Sequence, residues 1–263
     1  MSTLPRRHAT AKNHKFHRMT LFDQHAQQRQ TERAKRKYTD NDRFLYKWAK
    51  EEINIRTDEI KRNFTNIKHL NDFNEEPPSD SPYDYTQSIF QLHKTEDPNQ
   101  YLTNIKKNLK PDGLCLGVCF GDGTLTELKQ SLINAEIHLT GGSHQRATPL
   151  MTKQQIGGFM QSAGFALPVV DSETVRVDYK DILTLYSDLR AMGETNMLNA
   201  RSRKPQTKQF FEEVEKQYAS QFFKNGTYSA TFEIIFFTGW APDTSQQQPL
   251  RPGSGKTSLK DVL

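Results

Sequence analysis

The hydrophobic pattern changes period sharply around one stretch. Leu114 to Phe120 is a short apolar run with no helical spacing, bounded by glycines, which predicts a buried strand. Leu102, Ile105 and Leu109 recur on one helical face before it, and Leu125, Leu128, Leu132 and Ala135 do so after it, so a helix is expected to begin near Thr124. Pro111-Asp112-Gly113 between the first helix and the strand reads as a turn, Pro setting φ and Gly accepting φ > 0. Helix, turn, buried strand, glycine turn, helix is a fragment of an α/β sheet.

The same reading runs along the chain. Leu21 to Phe64 predicts helix in two or three pieces, broken near Thr39-Asp40-Asn41-Asp42, with Phe44, Leu45, Trp48 and Ala49 as an apolar stripe. Ile67 to Leu70 fits a short strand, Asn71 to Tyr83 with Pro77, Pro78 and Pro82 a loop, and Tyr85 to His93 a strand interrupted by Thr86, Gln87 and Ser88. Ile156, Phe159, Met160 and Ala163 stripe a helix capped by Gly164, and Leu167 to Tyr179 reads as one or two strands. Ile182, Leu185, Leu189 and Met192 stripe a helix closed by Gly193, and Phe211, Val214, Tyr218 and Phe222 stripe another. Tyr228 to Thr238, rich in aromatic and β-branched residues, predicts a strand buried on both faces. The organisation expected is a basic flexible arm over 1–20, one α/β domain over 21–241 with a helical part at 21–64, and a tail over 242–263.

Composition adds to this mainly at the amino end. The chain has 263 residues, a net charge of +5 and 34% hydrophobic residues, enough for one domain with a real core and some loosely packed chain. No acid precedes Asp23, while Arg6, Arg7, Lys12, Lys15 and Arg18 do. Such an arm could attract nucleic acid or an anionic membrane surface, serve as a mitochondrial transit peptide, or be a disordered basic tail. No nucleic-acid motif stands behind it. Cys115 and Cys119 fall on one face of the buried strand, without a second pair to complete a zinc site, and read as small core residues. No apolar run is long enough to cross a bilayer.

Two glycine-rich stretches suggest phosphate or nucleotide chemistry. Gly121-Asp122-Gly123 sits at a strand-to-helix turn, where free backbone N–H groups can meet a ligand. Gly253-Ser254-Gly255-Lys256-Thr257 resembles a P-loop, but Leu250 stands where its first glycine belongs, and no strand precedes it.

Several phrases carry a more specific resemblance. Ala163-Gly164-Phe165-Ala166-Leu167-Pro168-Val169-Val170-Asp171 and Asp188-Leu189-Arg190-Ala191-Met192-Gly193-Glu194-Thr195-Asn196 resemble the methyltransferase-like family of mitochondrial complex I assembly factors (its arginine-hydroxylase branch) and their α-proteobacterial relatives. The malonyl-carrier methyltransferases of the biotin pathway are more distant. Leu21-Phe22-Asp23, Leu109-Lys110-Pro111-Asp112-Gly113-Leu114, Thr124-Leu125-Thr126-Glu127-Leu128 and Gln247-Gln248-Pro249-Leu250-Arg251-Pro252-Gly253-Ser254 fit as well. The Leu-Lys-Pro-Asp-Gly-Leu phrase announces the fifth strand of a class I S-adenosylmethionine (SAM) methyltransferase. The resemblance therefore implies a Rossmann-like sheet that binds SAM, and puts the Gly121 turn downstream of the usual cofactor loop.

The expected cofactor segment is missing. The resemblance implies a first strand followed by an acid and a Gly-x-Gly turn, and a second strand ending in an acid. No glycine occurs before Gly113, and a side chain at the cradle would block close approach of the backbone to the cofactor. Glu59 to Phe64 resembles the helix end before the first strand, and Asp72 to Asp84 the segment after the third. Only residues 65–71 lie between, where two strands and two helices need roughly 40 residues more. The fold expected is thus a class I methyltransferase fold truncated in its N-terminal half.

What survives of the implied SAM site is Asp72 as the adenine-side acid, Asn74 in place of a Glu, and Ser88 to His93 at the opposite strand end, with Lys94 replacing the Trp of a Leu-His-Trp phrase. Arg190, Glu194 and Asn196 are the implied partner-binding residues, the partner being a protein such as an iron–sulfur subunit of complex I. Two functions stay open: an assembly protein with a degraded cofactor site, in the mitochondrial matrix of a eukaryote or the cytoplasm of a bacterium, or an active methyltransferase or arginine hydroxylase whose cofactor loop is missing from this gene model. No metal is expected.

Overall fold

The computed structural model describes residues 20–73 and 82–247. The arm up to Met19, Asn74 with Pro77, and the tail beyond Gln247 with its P-loop-like stretch lie outside the described residues. The chain runs α1 (Gln24–Lys37), α2 (Phe44–Glu59), β1 (Ile67–Leu70), β2 (Tyr83–Ile89), α3 (Pro98–Asn108), β3 (Leu109–Phe120), α4 (Thr126–Thr140), α5 (Lys153–Ser162), β4 (Ala166–Tyr179), α6 (Ile182–Ala191), α7 (Lys208–Phe222), β5 (Phe223–Lys224) and β6 (Thr227–Trp240).

The sheet order is β1-β2-β3-β6-β4, with the short β5 added as a hairpin on β6. β1, β2 and β3 are parallel, and β6 runs antiparallel to both β3 and β4. The predicted buried strand over Leu114 to Phe120 lies mid-sheet, with the predicted strand over Tyr228 to Thr238 antiparallel beside it. Helices α2, α4, α6 and α7 cover one face through Leu45, Ile53, Leu128, Leu185, Leu189, Val214 and Tyr218. Helices α3 and α5 cover the other, where Cys115 and Cys119 are packed with Leu102, Ile156 and Met160. Burial pushes the Cys115 thiol up to about 12, so it is an inert core group.

Order and direction give a Rossmann-like sheet. In the doubly wound order 3-2-1-4-5, the neighbour of the fourth strand is the first. With β3 as the fifth strand and β2 as the fourth, β1 occupies the first strand's place. It pairs with β2 at Ile67↔Tyr85 through Leu70↔Ser88.

Four local expectations need correction. Pro111-Asp112-Gly113 is a bulge inside β3, not a turn before it: pairing jumps from Tyr83↔Leu109 to Tyr85↔Leu114, and Asp112 takes φ 58°. β2 ends at Ile89 rather than His93, because Phe90 turns the chain at φ 51° and Leu92–Lys94 forms a 3₁₀ turn. β6 alternates buried and half-buried residues along its first half and is buried without a break only over residues 234–237. In α7 it is Phe210 that enters the core, while Phe211 is exposed on its rim.

Candidate functional site

The centre of the molecule's chemistry is a buried charge cluster at the carboxyl ends of β1 and β2. The 3₁₀ turn after β2 directs His93 and Lys94 inward, and both side chains are 2% exposed. Lys94 Nζ lies 2.7 Å from Asp72 Oδ2 and 2.6 Å from Glu194 Oε1, and it donates to the Tyr46 hydroxyl at 3.1 Å. His93 Nε2 is 3.2 Å from Glu194 Oε2. Below, the Tyr46 ring packs on Phe73 and Phe90, Phe90 stacks on Phe120 at 4.3 Å, and His93 meets the Phe120 ring edge-on at 5.2 Å.

Glu194 reaches this cluster because of how α6 ends. Gly193 adopts φ 72°, a left-handed conformation that favours glycine, and closes a Schellman motif: Glu194 N donates to Leu189 O at 2.8 Å and Gly193 N to Arg190 O at 3.3 Å. The chain reverses there and sends the next side chain into the core.

Burial acts to raise the Glu194 carboxyl, but the charge of Lys94 and the pairing with His93 overcome it and hold it down at about 2. Burial acts to lower Lys94, and Glu194, Tyr46 and Asp72 together drive it well above its ordinary value. The Tyr46 hydroxyl is pushed far up, chiefly by burial. The cluster therefore holds two carboxylates and one ammonium in a dry environment.

The residues singled out from the sequence scatter around this centre. Asp72 and His93 are members of it. Ser88 is on the opposite face of β2, its hydroxyl 2.9 Å from the Tyr101 hydroxyl. Asn74 is outside the described residues. Glu194 is an internal ion-pair partner instead of a surface group. Asn196 is engaged internally: its Nδ2 donates to Gln145 O, its Oδ1 accepts from Leu198 N, and its carbonyl accepts from Gln30 Nε2. Arg190 is exposed on the last turn of α6. Ile182, Leu185, Leu189 and Met192 are all buried, so that stripe is core. Leu21-Phe22-Asp23 docks on the same region: Phe22 bridges to Leu198, and Asp23 Oδ2 pairs with Arg201 at 2.8 Å.

Sequence reasoning missed Lys94 and Tyr46 as functional positions. The signal for Lys94 was its replacement of an expected aromatic residue. Tyr46 showed nothing beyond its place beside the apolar stripe of α2.

The alternative cradle is occupied by the protein's own carboxylate. Gly123 N donates to Glu233 Oε2 at 2.8 Å, Gly121 N to Glu233 O at 2.8 Å, and the Thr124 hydroxyl to Glu233 O at 2.9 Å. A Cβ on Gly121 would collide with the Glu233 carboxylate, so glycine is needed there for close packing against β6. The N–H groups that would receive an anionic ligand are already bonded.

A cavity of about 340 Å³ opens beyond the end of β3, between α4, α6 and α7. Phe120, Leu128, Leu132, Leu189 and Phe232 give it apolar walls, and His93 and Glu194 stand at its edge. Among the described residues no group of acids, histidines and cysteines could hold a metal ion, and no helix is long and apolar enough to cross a membrane.

A doubly wound sheet with three parallel strands, an antiparallel pair beyond them, and a polar site at the carboxyl ends of its parallel strands defines a methyltransferase-like, Rossmann-type protein. No family model matches the chain. It is 35% identical over 185 residues to the mitochondrial arginine-hydroxylase NDUFAF5 of Dictyostelium discoideum, covering 70% of this chain and 42% of that protein. The human protein of that name is 31% identical, covering 71% of this chain and 54% of its own. A malonyl-[acyl-carrier protein] O-methyltransferase of Methylovorus is 29% identical, covering 66% of this chain and 56% of its own. The chain is thus a relative of the mitochondrial arginine hydroxylases NDUFAF5 and, at lower identity, of bacterial malonyl-carrier O-methyltransferases. It spans about half the length of the curated relatives it matches.

Proposed function

We propose that this chain is a methyltransferase-fold protein that has lost SAM binding and works by holding a protein partner during assembly of respiratory complex I, in the mitochondrial matrix if its source is a eukaryote. The observation that carries the reading is the state of the two places where SAM could be cradled. At the first-strand position, β1 is followed by Asn71-Asp72-Phe73 with no glycine, and Asp72 is neutralised by Lys94 instead of facing a ribose or an adenine. At the second, Glu233 fills the Gly121-Asp122-Gly123 turn. The residues present do not fit the cofactor, and no methyl transfer is assigned to them.

The partner role rests on the relatives and on the region around α6, where Arg190 is the exposed charged group beside a tightly built loop. Its partner is a protein, with an iron–sulfur subunit of complex I as the expected one. Disrupting the gene in the source organism and resolving membrane complexes on native gels tests this. Loss of assembled NADH dehydrogenase, restored by the intact chain but not by Arg190→Glu, is expected; normal assembly without the gene overturns it.

A second reading, an active methyltransferase or arginine hydroxylase, is favoured by one observation: the chain spans only about half of each relative. A transcript that carries a Gly-x-Gly segment between Phe64 and Asp72 would establish it.

A further inference from the structure

Among the described residues no strand pairs with the outer side of β4, the last strand of the sheet, while β6 pairs with its inner side from Ala166↔Trp240 to Tyr179↔Tyr228. An edge strand presents a row of unpaired backbone N–H and C=O groups, which folded proteins guard with prolines, bulges, short length or charged side chains. β4 is 14 residues long. Its amino end is guarded: Pro168 lies in a register shift between Ala166 and Val169, and Leu167 takes φ 49°. From Val169 to Tyr179 the register is unbroken, without a proline or a glycine.

The charges on that unbroken stretch have both signs. Thr174, Arg176 and Asp178 are exposed on one face, and Lys180 follows them. Their cross-strand neighbours on β6 supply no countercharge: Thr231 lies opposite Arg176 and Ser229 opposite Asp178. Val175 and Val177, on the other face, are half-buried against the core. A row of lysines would repel a second copy. A cation and an anion two residues apart complement their own reverse.

We propose that β4 pairs antiparallel with β4 of a second copy of this chain, joining the two sheets across a two-fold axis at Val177. An axis normal to the sheet makes one residue its own partner. With Val177 there, Arg176 of each copy lies opposite Asp178 of the other, Val175 opposite Tyr179, and Thr174 opposite Lys180. The neighbouring registers fail: an axis at Arg176 sets that cation against itself, and an axis at Asp178 sets the acid against itself and Arg176 against Lys180. Apolar groups agree with the pairing. Val169 near the amino end of β4 and Leu183 just past its carboxyl end are 61% and 67% exposed. Val169 shares the face of Val175 and Val177, and α6, which carries Leu183, packs on that face through Ile182 and Leu185. Antiparallel pairing brings the Leu183 end of each copy to the Val169 end of the other. The paired stretch over 174–180 is roughly 24 Å long, a small contact that makes a weak, reversible dimer. It does not depend on SAM.

Sedimentation of the full chain tests the proposal. A monomer–dimer equilibrium with a Kd of about 10–100 µM is expected for an interface of this size. Arg176→Asp, and separately Asp178→Arg, turns two attractive pairs into two repulsive ones and should weaken the dimer at least about tenfold, with circular dichroism confirming that each folds. A mixture of the two single variants should associate again, and so should Arg176→Asp/Asp178→Arg alone. In the natural chain, amide exchange over residues 174–180 should slow as concentration rises, a readout that stands even if a variant fails to fold. A natural chain still monomeric at about 500 µM overturns the proposal and leaves the edge to a different protein. A dimer that survives both single reversals, a mixture that fails to associate, or exchange over 174–180 that ignores concentration overturns it equally.

Discussion

Replacing Lys94 with methionine probes the centre of the structure. The substitution keeps an unbranched side chain of similar length and removes one charge. That charge is the shared counter-ion of Asp72 at 2.7 Å and Glu194 at 2.6 Å, in a site where the Lys94 side chain is 2% exposed. Glu194 would keep only His93 at 3.2 Å and the Tyr46 hydroxyl at 3.4 Å. Breaking a buried pair by removing one partner costs about 3–5 kcal/mol, because the remaining charge is left in a dry environment. Asp72, with a side chain 14% exposed, can recover part of its hydration, so the lower half of that range is expected. Urea unfolding followed by the fluorescence of Trp48 and Trp240 measures it, as a lower midpoint at unchanged slope. The double variant Lys94→Met/Glu194→Gln should recover at least about 1 kcal/mol of the loss, since it removes a stranded charge as well. A Lys94→Met protein destabilised by less than about 1 kcal/mol, with no coupling to Glu194, would refute the cluster as described.

Acid should act on the same group. Glu194 is held at about 2 against an ordinary 4.5, so its stabilisation is complete above pH 4.5 and is lost as pH falls toward 2. Glu194→Gln should flatten the unfolding free energy over that window by on the order of 3 kcal/mol, leaving the share from Asp23 and Glu136, held down chiefly by hydrogen bonds from Arg201 and Arg146; an unchanged slope in equilibrium unfolding at pH 3 and 5 would contradict it. Gly117→Ala places a Cβ against the Phe237 ring in mid-sheet and should cost about 1–3 kcal/mol by overpacking; a thermal melt matching that of the natural chain would show that β3 and β6 are not so closely apposed.

The parts of the fold legible in the sequence were those where period alone decides. The shift from no period over Leu114 to Phe120 to a helical one after Gly123 located β3 and α4, and the stripe from Ile182 to Met192 located α6. The bulge at Asp112 was not legible, because Pro-Asp-Gly satisfies a turn and a bulge equally, and only pairing with β2 distinguishes them. The site was legible in pieces. Lys94 pairs with an acid 22 residues before it, and His93 with one 101 residues after, and no local pattern announces contacts over such separations. Glu194 entered as a partner-binding residue through the resemblance alone; the Gly193 Schellman turn that buries it is a backbone event whose direction the sequence does not reveal. Glu233 was hidden for a related reason. An acid in a β strand is normally outward, and only the approach of the Gly121 loop turns it into an internal ligand.

Titration of the purified chain with SAM in a calorimeter tests the proposed loss of the cofactor site most directly. With no glycine cradle after β1, Asp72 paired to Lys94, and the Gly123 N–H given to Glu233, the expected result is no binding heat up to millimolar SAM or its demethylated product. A micromolar Kd, about −8 kcal/mol, that disappears in Asp72→Ala would show that the first-strand site survives. A micromolar Kd lost instead in Gly121→Val would place the cofactor in the turn that Glu233 fills, and either result would contradict the account.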